Sequence, residues 1–157
     1  MIAISSTLAM ILSYLESMVP LSFAVPGIKI GLANIVIVFV MYRLGIKQAI
    51  AVSFIRLIWA AIIFGSFATF VYSASGAVLS LAGMGILKLT NKFSTVGVSV
   101  AGGILHNAGQ IIAAAVLMGT AQIVYYMPVL IVSGLATGVI IGVVAALTVK
   151  KIPKSVI

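Results

Sequence analysis

The chain has 157 residues, of which 64 % are hydrophobic and 6 % are charged. Soluble domains carry charges on about a quarter of their residues, so the exterior of this chain must face lipid. Because it has a single acidic residue, Glu16, and no cysteine, it lacks the several carboxylates of catalytic magnesium centres and the thiolates of zinc or redox sites, and we expect neither a metal nor another cofactor.

Six apolar segments follow one another along the chain, separated by short polar or basic connections. A helix needs about 20 apolar residues to cross the hydrocarbon core, and helices satisfy their own backbone hydrogen bonds in lipid. We therefore predict an all-α membrane protein, a six-transmembrane-helix bundle that forms one integral membrane domain over residues 1–157. The predicted spans are 1–18, 31–44, 48–66, 68–88, 95–119 and 123–149.

The basic residues predict the orientation of these spans. If the spans alternate in direction, one side of the membrane carries only Lys29, while Arg56 lies inside span three. Positive residues mark cytoplasmic connections, so both termini are predicted in the cytoplasm of a multi-pass cell-membrane protein. The net charge of +8 then matches anionic lipid heads rather than nucleic acid. The cytoplasmic basic residues are Arg43, Lys47, Lys88, Lys92, Lys150, Lys151 and Lys154.

Small residues recur at helical spacing in three spans. In lipid, such residues let helices approach closely. For span five, and for span six with Gly134, Gly138 and Gly142, the pattern favours packing within the chain. The small face of span one is longer than one neighbouring helix needs, so docking of a partner is an alternative to internal packing. The predicted docking residues are Ala3, Thr7, Ala9 and Ser13.

Polar side chains inside the membrane are costly and are therefore candidates for function. Arg56 lies near the middle of span three, and a histidine and two amides share neighbouring faces of span five. In the predicted orientation most candidates cluster in the outer half of the membrane, which predicts an externally open cavity. The candidate substrate-binding residues are Glu16, Lys29, Asn34, Arg56, Tyr72, His106, Asn107 and Gln110.

The charge of this cavity indicates the ligand class. A guanidinium at low dielectric favours a carboxylate or phosphate partner, so the hypothesis is an anionic or zwitterionic ligand. Structural alternatives stay open: Arg56 pairs with Glu16, the histidine and amides form an interhelical hydrogen-bond cluster, and Tyr125 and Tyr126 belong to an aromatic belt.

The residue types do not support catalysis. Magnesium-dependent pyrophosphate chemistry needs several carboxylates, and the chain has neither a plausible Ser–His–acid set nor a glycine-rich phosphate loop. We predict that the chain is not an enzyme. If transport is driven by ATP, the ATPase belongs to other chains.

Several motifs distributed over nearly the whole chain resemble one bacterial membrane family. The resemblance is to the Gx transporter family, also labelled heptaprenyl diphosphate synthase component I, whose members resemble the S components of energy-coupling factor (ECF) transporters. The motifs are LSYLES at 12–17, VPGIKIGLAN at 25–34, FGS at 64–66, YS at 72–73, VGVSVAG at 96–102, HNAGQ at 106–110, YMP at 126–128 and SGLATG at 133–138.

This resemblance implies a substrate-binding membrane subunit that takes a small anionic or amphipathic vitamin-like molecule from the outer side. A flavin and a quinone or isoprenoid precursor are both compatible with it. It implies docking to a transmembrane coupling subunit through small residues on span one, with ATPase subunits in trans. It also places Lys29 and Asn34 in a gating first loop and the lip of the pocket.

Two other functions stay open. The enzyme label does not fit a chain with one carboxylate, but it leaves the alternative of a non-catalytic membrane accessory subunit of a prenyl diphosphate synthase. The remaining alternative is a small scaffold whose polar residues only hold helices together. A ligand in the outer half would favour transport, whereas co-purification with a soluble prenyltransferase would favour the accessory role.

Overall fold

The computed structural model describes residues 1–18, 31–64 and 67–152. Within these ranges all regular elements are helical, as the sequence predicts. Lys29, Lys154 and most of the motif at 64–66 lie outside the described residues. The helices are α1 (Ile2–Met18), α2 (Leu32–Arg43), α3 (Ile46–Phe64), α4 (Phe67–Leu89), α5 (Thr95–Met118) and α6 (Met127–Lys151), and a short 3-10 helix (Ala121–Tyr126) precedes α6.

The predicted spans coincide with these helices to within a few residues, and the largest difference is at α6. This helix begins at Met127 rather than at 123 because Pro128 occupies its first turn. Proline has no N–H to donate and is therefore tolerated there but not farther inside a helix. The start of α5 is set by Ser94, whose side chain accepts a hydrogen bond from the Gly97 N–H at 3.1 Å, as expected for an N-cap.

Four helices in the described part of the chain are long and apolar enough to cross a bilayer, which identifies a multi-pass membrane protein. They lie over Ile46–Ile63, Phe70–Leu89, Thr95–Met118 and Ala121–Lys151. The other two, α1 and α2, are apolar but shorter. At 1.5 Å per residue α2 extends about 18 Å, against a hydrocarbon core of about 30 Å. The count of six spans therefore stays a prediction.

The short helix α2 is the most enclosed helix in the described part of the chain, because none of its residues is exposed. It packs against α1, α3 and α6. Its buried residues lie mainly on one face, with Val38 to the side, and none of its other residues is exposed. A helix that is apolar all round belongs inside protein, which explains why α2 does not need to match the bilayer thickness. These buried residues are Ala33, Val36, Ile37, Val38, Val40 and Met41.

The contacts between helices form a ring that α2 completes. Helix α1 packs on α2 and α3, α3 packs on α4, α4 on α5, and α5 on α6, which returns to α2. The most extensive contacts join α4 to α5 and α5 to α6. The bundle therefore consists of a tightly packed α4–α5–α6 layer and an α1–α2–α3 layer that carries the single acidic residue.

Glycines explain the close approach of α5 and α6. A Cβ atom at Gly138 would lie 2.6 Å from Cα of Val100, and one at Gly142 would lie 2.7 Å from Cα of Val96. Gly134 packs in the same way on Gly103. The prediction that the glycines of these spans serve packing within the chain is confirmed.

Two basic residues that mark the predicted cytoplasmic side also join helix ends. Arg43, at the end of α2, donates from Nη2 to the carbonyls of Val149 and Ile152 at the end of α6. Lys88, near the end of α4, donates to the carbonyl of Met41. The last carbonyls of a helix lack internal donors and carry the negative end of its dipole, so cations from neighbouring helices stabilise them.

Candidate functional site

The candidate site is a cleft between α1 and α3 with a volume of about 200 Å³. Its walls come from the middle and the C-terminal half of both helices. Nearly all of the cleft surface is apolar. The lining side chains that carry nitrogen or oxygen atoms are those of Ser13, Tyr14, Arg56 and Trp59. Lining side chains include those of Met10, Ser13, Tyr14, Arg56, Trp59 and Ile63.

Arg56 provides the positive charge of this cleft. Its Nη1 donates to Oγ of Ser13 at 3.3 Å. Its Nε is buried and has no hydrogen-bond partner among the described residues. A guanidinium has five donors, and leaving a buried donor unsatisfied costs about 1–3 kcal/mol. Arg56 therefore carries one enclosed donor without a partner, beside a cleft lined mostly by apolar side chains.

Glu16 contributes to the start of α2. Its Oε1 accepts a hydrogen bond from the backbone N–H of Gly31. Gly31 precedes α2 with a left-handed φ of 77° and has no side chain with which to cap the helix. The carboxylate of Glu16 in α1 takes the place of that cap, and the positive end of the α2 dipole stabilises its negative charge.

Glu16 and Arg56 interact electrostatically, but in the described part of the chain they form no direct ion pair. Each has another partner, Gly31 for the carboxylate and Ser13 for the guanidinium. The sequence alternative of an Arg56–Glu16 pair stays a prediction, and the two residues also make separate contacts between helices. These contacts join α1 to α2 and α1 to α3.

Asn34 belongs to the same region. Its backbone N–H donates to the Gly31 carbonyl at 2.8 Å, and a Cβ atom at Gly31 would lie 3.3 Å from its side-chain nitrogen. Three predicted substrate-binding residues, Glu16, Asn34 and Arg56, thus lie where α1, α2 and α3 meet.

His106 and Gln110 form a second group, between α4 and α5. Nε2 of His106 and Nε2 of Gln110 are 3.3 Å apart. Both side chains pack on Gly76 of α4, where a Cβ atom would lie 2.9 Å from Nδ1 of His106 and 3.0 Å from Cγ of Gln110. Glycine at 76 thus makes room for this polar pair inside the α4–α5 contact.

Asn107 points to the other neighbour of α5. Its side-chain nitrogen donates to the backbone carbonyl of Leu130 in α6 at 2.6 Å, and the residue is 8 % exposed. The amide therefore links two helices, as the alternative of an interhelical hydrogen-bond cluster requires.

The remaining candidates are more dispersed. Tyr72 is partly exposed on α4. Tyr125 and Tyr126 are exposed on the 3-10 helix, a placement typical of interfacial aromatic residues. With Lys29 outside the described ranges, the expectation that all eight candidates line one pocket stays a prediction.

The predicted docking face of α1 is divided by the fold. Ala9 is 0 % exposed and belongs to the core, while Ser13 contacts Arg56. Ala3 and Thr7 are exposed, and the Thr7 hydroxyl donates to the Ala3 carbonyl at 3.0 Å. Only Ala3 and Thr7 can therefore meet a partner without rearrangement of the bundle.

Sequence reasoning missed the apolar part of the cleft. Arg56, Trp59, Ala60 and Ile63 follow one another at the spacing of one helical face, and all of them line the cleft. This spacing could have predicted the apolar wall, because bulky apolar residues on the same helical face as an arginine are expected to surround its charge. Among the described residues, no group of three or more His, Cys, Asp or Glu side chains has the arrangement of a metal site.

The comparisons with known proteins identify a family. The sequence model of the family described as heptaprenyl diphosphate synthase component I matches residues 6–148. No curated protein and no solved structure matches the chain. The matched range covers most of the chain and includes all cleft residues named above, so this chain belongs to the heptaprenyl diphosphate synthase component I family.

Proposed function

We propose that the chain is the substrate-binding membrane subunit of an ECF-type ABC transporter and binds a small anionic or amphipathic molecule from the outer side. The observation that carries the proposal is Arg56. Its guanidinium lies between two apolar helices, with Ser13 as a partner and a buried Nε that has none among the described residues. A carboxylate or phosphate would supply charge-assisted hydrogen bonds at this position.

In this proposal the chain binds and does not catalyse. Its single carboxylate, Glu16, is engaged with the Gly31 N–H, and it would act as a cap rather than as an acid or base. A family described as one component indicates protein partners. We assign the exposed residues Ala3 and Thr7 of α1 to the contact with a transmembrane coupling subunit, because small residues allow close helix approach. ATPase subunits would act in trans.

A second function is favoured by the family description itself. Component I of a heptaprenyl diphosphate synthase is compatible with a non-catalytic membrane accessory subunit that anchors a soluble prenyltransferase. In that case Arg56 would serve only the packing of α1 on α3.

The proposed function is tested by what the chain retains on purification. We expect mass spectrometry to detect an anionic small molecule with the wild-type protein and about ten- to hundredfold less of it with Arg56→Gln, since a charge-assisted contact is lost. Lys47→Gln, an exposed position on the same helix, is the matched control and should retain the molecule. Capture of a soluble prenyltransferase without any small molecule would instead establish the accessory role.

The orientation is a separate prediction, with both termini in the cytoplasm. The chain has no cysteine, so single cysteines at exposed positions report sidedness without background. We expect impermeant thiol reagents added to whole cells to label cysteines at Phe67 and Ala121 but not at Lys47 and Lys92. The reverse pattern would place the cleft on the cytoplasmic side and contradict uptake from outside.

A further inference from the structure

We infer that the ligand of the α1–α3 cleft is a single-chain amphiphile with a carboxylate or phosphate head, and that it enters sideways from the bilayer. This inference rests on the proposed function and narrows its ligand class. Its head would meet Arg56 and Ser13, and its chain would leave the cleft between α1 and α3 toward lipid.

The size of the cleft argues for partial enclosure. Pockets that enclose a complete drug-sized molecule have volumes of about 300–1,000 Å³, whereas this cleft has about 200 Å³. A fused-ring vitamin would therefore exceed it. A head group with the first carbons of a chain requires less space, because the remainder of the chain stays in the hydrocarbon core of the membrane.

The mouth of the cleft argues for entry from lipid. Its rim residues Ile11, Trp59 and Ile63 are 51 %, 47 % and 51 % exposed. They lie on the outer surface of the helix ring, which faces acyl chains in a bilayer rather than water. An apolar mouth does not attract a water-soluble anion. An acyl or prenyl chain, in contrast, can pass from the hydrocarbon core into the cleft without crossing a polar region.

The charge distribution argues for an anionic head. Arg56 is the one ionised side chain that lines the cleft, and its Nη1 donates to Oγ of Ser13 across the two helices. A charge at low dielectric needs a counter-charge with good hydrogen-bond geometry. An anionic head supplies both, whereas a neutral head would leave the guanidinium with only its interaction with Glu16 as compensation.

The chain contains its own reporter of occupancy, because Trp59 lines the cleft and is the only tryptophan. The experiment measures Trp59 fluorescence in nanodiscs of zwitterionic phosphatidylcholine, titrated with stearic acid that carries a doxyl quencher close to its carboxyl group. A mildly alkaline pH keeps the acid ionised. We expect saturable quenching by the acid, and only weak, linear quenching by its neutral methyl ester.

Two pairs of variants locate the effect. Arg56→Gln should raise the half-saturating mole fraction of the acid about ten- to hundredfold, while the exposed control Lys47→Gln should leave it unchanged. Ala60→Phe fills the cleft without altering charge and should abolish saturable quenching. Its control, Ala82→Phe on the exposed face of α4, should not.

Competition experiments distinguish amphiphilic anions from water-soluble anions as ligands of the cleft. Unlabelled stearate and dodecyl phosphate should displace the probe, whereas butyrate and inorganic phosphate should not. Equal quenching by acid and ester, or displacement by butyrate or inorganic phosphate, would overturn the amphiphile. If Arg56-dependent retention of a water-soluble molecule is found on purification while the labelled acid binds without saturation, the proposed transport function stands and this inference alone fails.

Discussion

Replacing Gly138 with alanine is expected to lower the free energy of unfolding by about 2 kcal/mol or more. The added Cβ would lie 2.6 Å from Cα and 3.2 Å from the backbone nitrogen of Val100, and 3.0 Å from the carbonyl oxygen of Ser99. Backbone atoms cannot rotate away, so α5 and α6 must separate, and overpacking of this kind costs about 1–3 kcal/mol or more. Alanine regains about 1 kcal/mol of helix propensity, which only partly offsets the separation.

The matched control is Gly85→Ala in α4. A Cβ at this position would be 3.8 Å from Cγ2 of Ile46, which is an ordinary contact. The propensity gain should then dominate, and this variant should be as stable as the wild type or more stable. Thermal unfolding of both purified proteins in detergent, followed by Trp59 fluorescence, measures the difference. Similar melting temperatures for the two variants would show that α5 and α6 are not held at glycine contact distance.

The positions of the helices could be predicted from the sequence. In lipid, an apolar segment must form its own backbone hydrogen bonds, which leaves few alternatives to a helix. The enclosure of α2 by its neighbours could not be predicted. Its length of 12 residues indicated only an unusual span, and its burial depends on which helices surround it. In the same way the sequence identified Arg43 and Lys88 as markers of one side, while their hydrogen bonds to the ends of other helices follow from the order of helices in the ring.

The sequence identified which residue types belong to the candidate site, but it did not predict which of these residues lie together. Arg56 and Glu16 stand out because charges are rare inside the membrane, and both lie where α1, α2 and α3 meet. Their partners could not be read from the sequence, because Ser13 and the Gly31 N–H are separated from them by 43 and 15 residues. His106 contacts α4 and Asn107 contacts α6. This separation could not be predicted either, because adjacent residues of one helix face different neighbouring helices.

Glu16→Gln is the second substitution with a large expected effect. It exchanges a charge-assisted hydrogen bond to the Gly31 N–H for a neutral one and removes the negative charge at the start of α2. Hydrogen bonds to charged groups contribute about 1.5–3 kcal/mol, against about 0.5–1.5 kcal/mol for neutral ones. With the lost interaction with the helix dipole, we expect the free energy of unfolding to fall by about 1–2 kcal/mol.

A double-mutant cycle with Arg56→Gln separates this role from an ion pair. If Glu16 acts as the cap of α2, its substitution should destabilise the wild-type and the Arg56→Gln backgrounds by similar amounts. If instead the two charges depend on each other, Glu16→Gln should restore stability to Arg56→Gln by removing the carboxylate left without a counter-charge. Glu16→Asp tests whether the length of the side chain matters, because it keeps the charge but is shorter by one methylene. If Glu16 caps α2, this variant should also be less stable than the wild type. Rescue by Glu16→Gln, combined with wild-type stability of Glu16→Asp, would show that the carboxylate serves Arg56 and not the N-terminus of α2.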